Sequence, residues 1–143
     1  MPTFSAIHLY HKGQFLFELG RYNDAIKIFE IILEKDYLNS YALMGKGRAL
    51  FYLGCYNDAI KVFQKAIEID PANIYARNYI GLSFFERGEN EVAIGVYQTA
   101  IEIDSTESLL WLNLGTVYFA QDRLEEAEFA FRKATEIDPS AIE

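Results

Sequence analysis

The sequence predicts an all-α fold of four helical hairpins in series. Three observations carry that prediction. Four glycines, Gly13, Gly47, Gly81 and Gly115, stand 34 positions apart. Four alanines, Ala25, Ala59, Ala93 and Ala127, keep the same step, and so do four aromatics, Phe29, Phe63, Tyr97 and Phe131. A 34-residue period in a chain that is 51% hydrophobic and 24% charged calls for a soluble repeat architecture. The 143 residues suffice for one domain, placed over 6–141. Its repeats run Ala6–Asn39, Ser40–Asn73, Ile74–Glu107 and Ser108–Ala141, with no insertion or linker between them.

Each repeat reads as two helices, and the second repeat shows why. In its first half Leu43, Gly47 and Leu50 recur at helical spacing. The breaker Leu53-Gly54-Cys55-Tyr56 follows, with Gly54 placed to take the left-handed conformation that ends a helix. Gly20 and Gly88 hold the same slot, and Asp122 fills it in the last repeat. Next, Asn57 and Asp58, or Glu125 and Glu126 in the last repeat, put acceptors and negative charge at the start of the second helix. Ala59, Ile60, Phe63, Ala66 and Ile67 then give that helix its apolar stripe. Asp70-Pro71 and Asp138-Pro139 end it, because proline cannot continue a helix and disfavours helix at the residue before it. The first and third repeats carry Tyr37 and Ser105 instead of proline, so their turns are expected to be looser. Gly47 and Ala59 are expected to face each other across the hairpin, with Phe63 filling the space beside them.

The remaining composition bounds the function. Net charge is −8, and lysine and arginine are scattered, which argues against nucleic acid or an anionic membrane as partner. A helical RNA reader is disfavoured on the same ground. Cys55 is the single cysteine, so no internal disulfide forms, and a reducing, cytoplasmic setting fits. The start of the chain lacks the features of a signal peptide. The longest uncharged run, Ser108 to Gln121, is 14 residues and too short to span a bilayer. His8 and His11 are three apart but lack a third ligand, so no metal is expected. Gly45-Lys46-Gly47 lacks the spacing of a phosphate loop. No nucleophile, base and orienter can be assembled, so the chain is expected to be no enzyme and to need no cofactor.

The last repeat names a family. Trp111, Leu114, Gly115, Tyr118, Ala127, Phe131, Ala134 and Pro139 together resemble the signature of the tetratricopeptide repeat proteins. The other repeats carry the glycine, the alanine and the aromatic, with Leu9, Leu43 and Arg77 at the tryptophan slot, so the resemblance covers Ala6 to Ala141. Lys12 and Lys46 depart from the pattern by standing where Leu114 stands; a lysine can bury its stem and carry its amine to the edge. The resemblance implies a solenoid of four stacked helix-turn-helix repeats in a right-handed superhelix. It also implies a concave face lined by the first helices, which binds peptides or partner proteins and catalyses nothing. A carboxylate clamp of the chaperone-binding subclass is not expected. Its slots hold Tyr10, Gln14, Gly45, Tyr75 and Tyr79, or, one repeat on, Met44, Arg48, Tyr79, Leu109 and Asn113. Neither set supplies the cations a clamp needs.

On the first helices, positions spaced three, four and three apart form one stripe per repeat. They are Ile7, Tyr10, Gln14 and Phe17; Tyr41, Met44, Arg48 and Phe51; Tyr75, Asn78, Leu82 and Phe85; and Leu109, Leu112, Thr116 and Phe119. Phe17, Phe51, Phe85 and Phe119 are expected either to anchor a ligand in a ladder or to be buried against the adjacent first helix. Tyr41, Tyr75, Asn78 and Arg48 are the preferred ligand contacts, because polar tips on such a surface read a partner. At the end of the array, Glu128 and Thr135 stand where other repeats have isoleucine or leucine, so that face is expected to be a cap, with Phe131 and Ile137 remaining apolar. The first repeat has no cap beyond Pro2 to Ser5. The expected function is a protein–protein interaction scaffold with an apolar, aromatic groove. The alternative is a self-assembling array that forms a homo-oligomer through its ends or groove.

Overall fold

The computed structural model describes residues 5–141; the flanking stretches Met1–Phe4 and Ile142–Glu143, including most of the Pro2–Ser5 segment considered above, lie outside them. Eight helices and no strand occur among the described residues. They are α1 (Ala6–Glu18), α2 (Tyr22–Lys35), α3 (Ser40–Tyr52), α4 (Tyr56–Ile69), α5 (Ile74–Glu86), α6 (Asn90–Ile103), α7 (Ser108–Ala120) and α8 (Leu124–Ile137). The fold is an all-α helical-repeat solenoid, made of the hairpins α1–α2, α3–α4, α5–α6 and α7–α8. It comprises two compact units, Met1–Pro71 and Ala72–Glu143.

The three periodic series of the sequence turn out to describe one contact. The glycine of each first helix lies under the aromatic ring of the second helix in the same hairpin. A Cβ added to Gly47 would sit 2.7 Å from the Phe63 ring, and one on Gly13 would sit 2.6 Å from the Phe29 ring. Gly81 and Tyr97 (2.6 Å) and Gly115 and Phe131 (2.7 Å) repeat the arrangement. Phe63 fills the space beside Gly47 as expected and is its nearest neighbour, and Ala59 is fully buried. In the first unit Phe29 also meets α3, because a Cβ on Gly45 would lie 2.5 Å from that ring. Leu16, Ala25, Ile32 and Ala42 close the core around it. The core of the second unit is built on Ile94, Tyr97, Leu110, Leu114, Val117 and Tyr118. Burial drives the Tyr97 phenol far above its ordinary pKa, and its hydroxyl donates to the Asn78 carbonyl at 3.3 Å.

The turns follow the expected punctuation, with two corrections. Gly20, Gly54 and Gly88 have φ between 76° and 82°, and Asp122 takes φ 60° in the same slot. The acidic residues after each break do not cap the second helices with a side-chain hydrogen bond. They lie in the first turn, where negative charge favours the helix N-terminus. There Asp24 pairs with Arg21, and Glu126 with Arg123. Side-chain capping occurs instead on first helices, from Ser5, Asn39 and Asn73. The expected looseness of the proline-free turns is absent in the third repeat. Asp104 accepts from the Thr106 amide and hydroxyl at 2.9 and 2.6 Å. Asp138, followed by Pro139, accepts from Ser140 in the same way at 3.0 and 2.7 Å. The aspartate builds the turn, and the proline only stiffens it.

Candidate functional site

In the first unit the two stripes of first-helix side chains adjoin. The rings of Tyr10 and Tyr41 meet edge to face at 5.6 Å, and Gln14 donates to the Tyr10 hydroxyl at 2.8 Å. The Arg48 guanidinium lies 4.5 Å over the Phe17 ring. Ile7 and Tyr41 stay exposed, Tyr41 by 70%, while Met44, Arg48 and Phe51 are half-buried. Two pockets lie along this surface. One of about 240 Å³ is lined by Ala6, Ile7, Tyr10, His11, Asn39 and Tyr41. The other, about 50 Å³ between Gln14, Phe17 and Arg48, holds no more than a few waters.

The aromatic ladder is not a row of phenylalanines. Phe17 contacts Tyr52 at 5.5 Å and Tyr22 at 5.3 Å, while Phe51 contacts Tyr52 at 5.3 Å and Tyr56 at 5.4 Å. Tyr52 is the bridging ring, and it falls outside the three-four-three stripe. It stands 35 positions after Phe17, one repeat plus one, and that offset was the signal available in the sequence.

In the second unit the stripe divides. Tyr75 and Thr116 are exposed, as is Phe119 at 63%, and Leu82, Leu109 and Leu112 are half-buried. Phe85 packs on the core of the unit. Asn78 corrects the expectation of a ligand contact: it is only 5% exposed, and its side-chain oxygen accepts from Asn113 Nδ2 at 2.6 Å. The pair Asn78–Asn113 shows the same 35-residue offset between neighbouring first helices.

The lysine departures behave differently. Lys46 is mostly covered and reaches Glu30 at 3.4 Å, as a buried stem with an edge amine requires, whereas Lys12 is exposed. His8 shares a hydrogen bond with Ser5 at 2.9 Å, and Cys55 is exposed at the start of α4. Glu128 is exposed and paired with Arg132 at 2.6 Å, and the Thr135 hydroxyl donates to the Phe131 carbonyl. Phe131 is half-buried over Gly115, so it supports its own hairpin.

Tandem hairpins with rings and apolar side chains held out on their first helices define a helical-repeat protein that presents a contact surface. The chain belongs to the tetratricopeptide repeat family: profiles described as tetratricopeptide repeat match residues 10–74 and 108–141, and one described as TPR repeat matches 81–122. It is accordingly a protein-interaction scaffold in general character. Solved structures of MamA resemble it closely. MamA 41-end from Desulfovibrio magneticus RS-1 is 26% identical, with a TM-score of 0.84 over 97% of this chain and 78% of that one. A crystal structure of MamA is 25% identical, with a TM-score of 0.84 over 96% and 81%. A MamA RS-1 double mutant is 26% identical, with a TM-score of 0.82 over 95% and 76%. A comparison with curated proteins finds no match. No described helix is long and apolar enough to cross a membrane.

Proposed function

We propose that the first-helix surfaces bind a protein or peptide partner through apolar and aromatic side chains, with no reaction of their own. One observation carries this reading. Ile7, Tyr41 and Tyr75 hold large side chains in solvent beside half-buried rings and leucines on the same helix faces. Exposed tyrosine offers apolar area and a polar tip at low conformational cost, which suits recognition. The absence of clustered cations on these faces disfavours a carboxylate clamp and favours an apolar or amphipathic segment. A cytoplasmic setting fits the lone cysteine. The test is capture from lysate by the wild type and by Tyr41→Ala with Tyr75→Ala, both first shown to be helical by circular dichroism. A partner held by the wild type, lost by the variant, and rebinding when purified supports the reading. Equal capture overturns it.

Self-association through an end is the second reading, and Phe15 favours it. Its register counterparts Ala49, Ser83 and Val117 are buried, yet Phe15 is 60% exposed. Sedimentation over a concentration series decides. A mass that rises for the wild type but not for Phe15→Glu supports assembly, and a constant monomer removes it.

A further inference from the structure

A second surface lies in the Ala72–Glu143 unit, away from the stripe on α7. Gln98, Ile101 and Glu102 of α6 form one wall, and Glu125, Glu126, Phe129 and Ala130 of α8 form the other. Trp111, Leu114 and Tyr118 of α7 make the floor. These floor positions are offset by two from Leu109, Leu112 and Thr116, a rotation of about 200° around the helix. The cleft holds about 560 Å³, within the size range of ligand clefts. Trp111 is fixed there by its indole N–H donating to the Ser105 carbonyl at 3.0 Å, and the Phe129 ring meets it edge to face at 6.1 Å.

The corresponding register of the other unit shows what has changed. There Lys46 stands for Leu114 and crosses to Glu30, Lys61 stands for Phe129, and Asn57 stands for Glu125. The α6–α8 cleft has therefore exchanged two lysines for apolar side chains while keeping three carboxylates, Glu125 standing for Asn57 and Gln98 for Glu30. No lysine, arginine or histidine lines it; the nearest cations sit at its edges, Arg123 4.7 Å over the Tyr118 ring and Lys133 5.6 Å over the Phe129 ring. Of its three carboxylates, Glu126 is held by Arg123, while Glu102 and Glu125 make no ion pair among the described residues.

An apolar floor beside two carboxylates without an ion pair, Glu102 and Glu125, complements one chemistry. We infer that this cleft docks a lysine- or arginine-bearing amphipathic helix, seating a large apolar side chain on Trp111, Leu114 and Phe129 with its cations against Glu102 and Glu125. The proposal is independent of the first-helix surface.

Trp111 is the only tryptophan in the chain, so its emission reports this cleft directly. The probes are two synthetic tryptophan-free amphipathic helices, one of leucine and lysine and the other of leucine and glutamate. The Leu/Lys helix is expected to shift Trp111 emission saturably, less tightly as salt is raised, and the Leu/Glu helix to leave it unchanged. Phe129→Lys, at an exposed position, is expected to weaken the Leu/Lys helix by about tenfold or more, or about 1.4 kcal/mol. Leu114→Lys copies the side chain that the second repeat already carries in this slot and is expected to act likewise. Glu102→Gln with Glu125→Gln is expected to weaken binding and flatten its salt dependence. Tyr41→Ala with Tyr75→Ala is expected to change nothing, which separates this site from the first-helix surface. No saturable response, an equal response to both helices, or undiminished binding by Phe129→Lys overturns the proposal. So does a concentration-dependent rise in mass that Phe129→Lys abolishes, which would assign the cleft to a second copy of the chain.

Discussion

Phe29 touches glycine on two sides, Gly13 in its own hairpin and Gly45 in the next. The sequence displayed the glycines and the rings as separate periodic series, and their spacing was enough to establish the hairpins. It placed Phe63 beside Gly47 but did not show that each ring lies directly over its glycine, because periodicity reports that a position matters and is silent on what it touches. The contact gives a paired test. Gly81→Ala would drive a Cβ to 2.6 Å from the Tyr97 ring, and overpacking of this kind costs about 1–3 kcal/mol, more than the roughly 0.5–1 kcal/mol that alanine gains over glycine inside a helix. Gly95 lies in α6 with nothing within 4 Å of an added Cβ. Gly95→Ala is therefore expected to stabilise by about 0.5–1 kcal/mol and Gly81→Ala to destabilise, both read from urea midpoints. Asn78 shows the limit of a residue-by-residue reading. A polar side chain at a stripe position looks like a ligand contact until its partner Asn113 is placed, and only a search at the 35-residue offset would have found that partner.

At the level of elements, α1, α3 and α5 are secured by side-chain caps, α7 has none, and the second helices carry charge in the first turn. Asn39 and Asn73 are the last residues of their repeats in the sequence period, yet they serve the helix that follows. Asn73→Ala is expected to cost about 1 kcal/mol in thermal or urea unfolding. In the turn after α6 the Thr106 hydroxyl and amide hold the Asp104 carboxyl below the ordinary carboxylate value. A depressed folded pKa contributes stability that is complete above the unfolded value and is lost as pH falls through the folded one. This turn therefore weakens only in acid. Thr106→Val, which deletes the hydroxyl donor, is expected to raise the Asp104 midpoint in an NMR titration and to move that loss to higher pH. The prolines drew attention to these turns, yet the aspartates build them, and aspartate is too common on a soluble surface to stand out without the residue two places on.

For the whole molecule, stability in a solenoid is local, since each repeat contacts only its neighbours. Phe29→Ala removes the centre of the first core, a loss of about 3–5 kcal/mol. Amide exchange is expected to quicken across α1 to α3 and much less across α6 to α8; uniform acceleration would mean a single cooperative block. The helical architecture and the family were legible in the sequence because they follow from period and residue size. The apportioning of each first helix between core and surface was not, because a stripe that is apolar in both cases differs only in what stands opposite. The slot after the stripe, held by Gly45 in the second repeat, is held by Asn113 in the fourth. With no side chain there, α3 comes up against the ring of Phe29, whereas Asn113 interposes a polar arm that reaches Asn78. One slot per repeat thus helps set how closely a hairpin meets the one before it, and in the second repeat that slot is tied to the core of the first hairpin through Phe29.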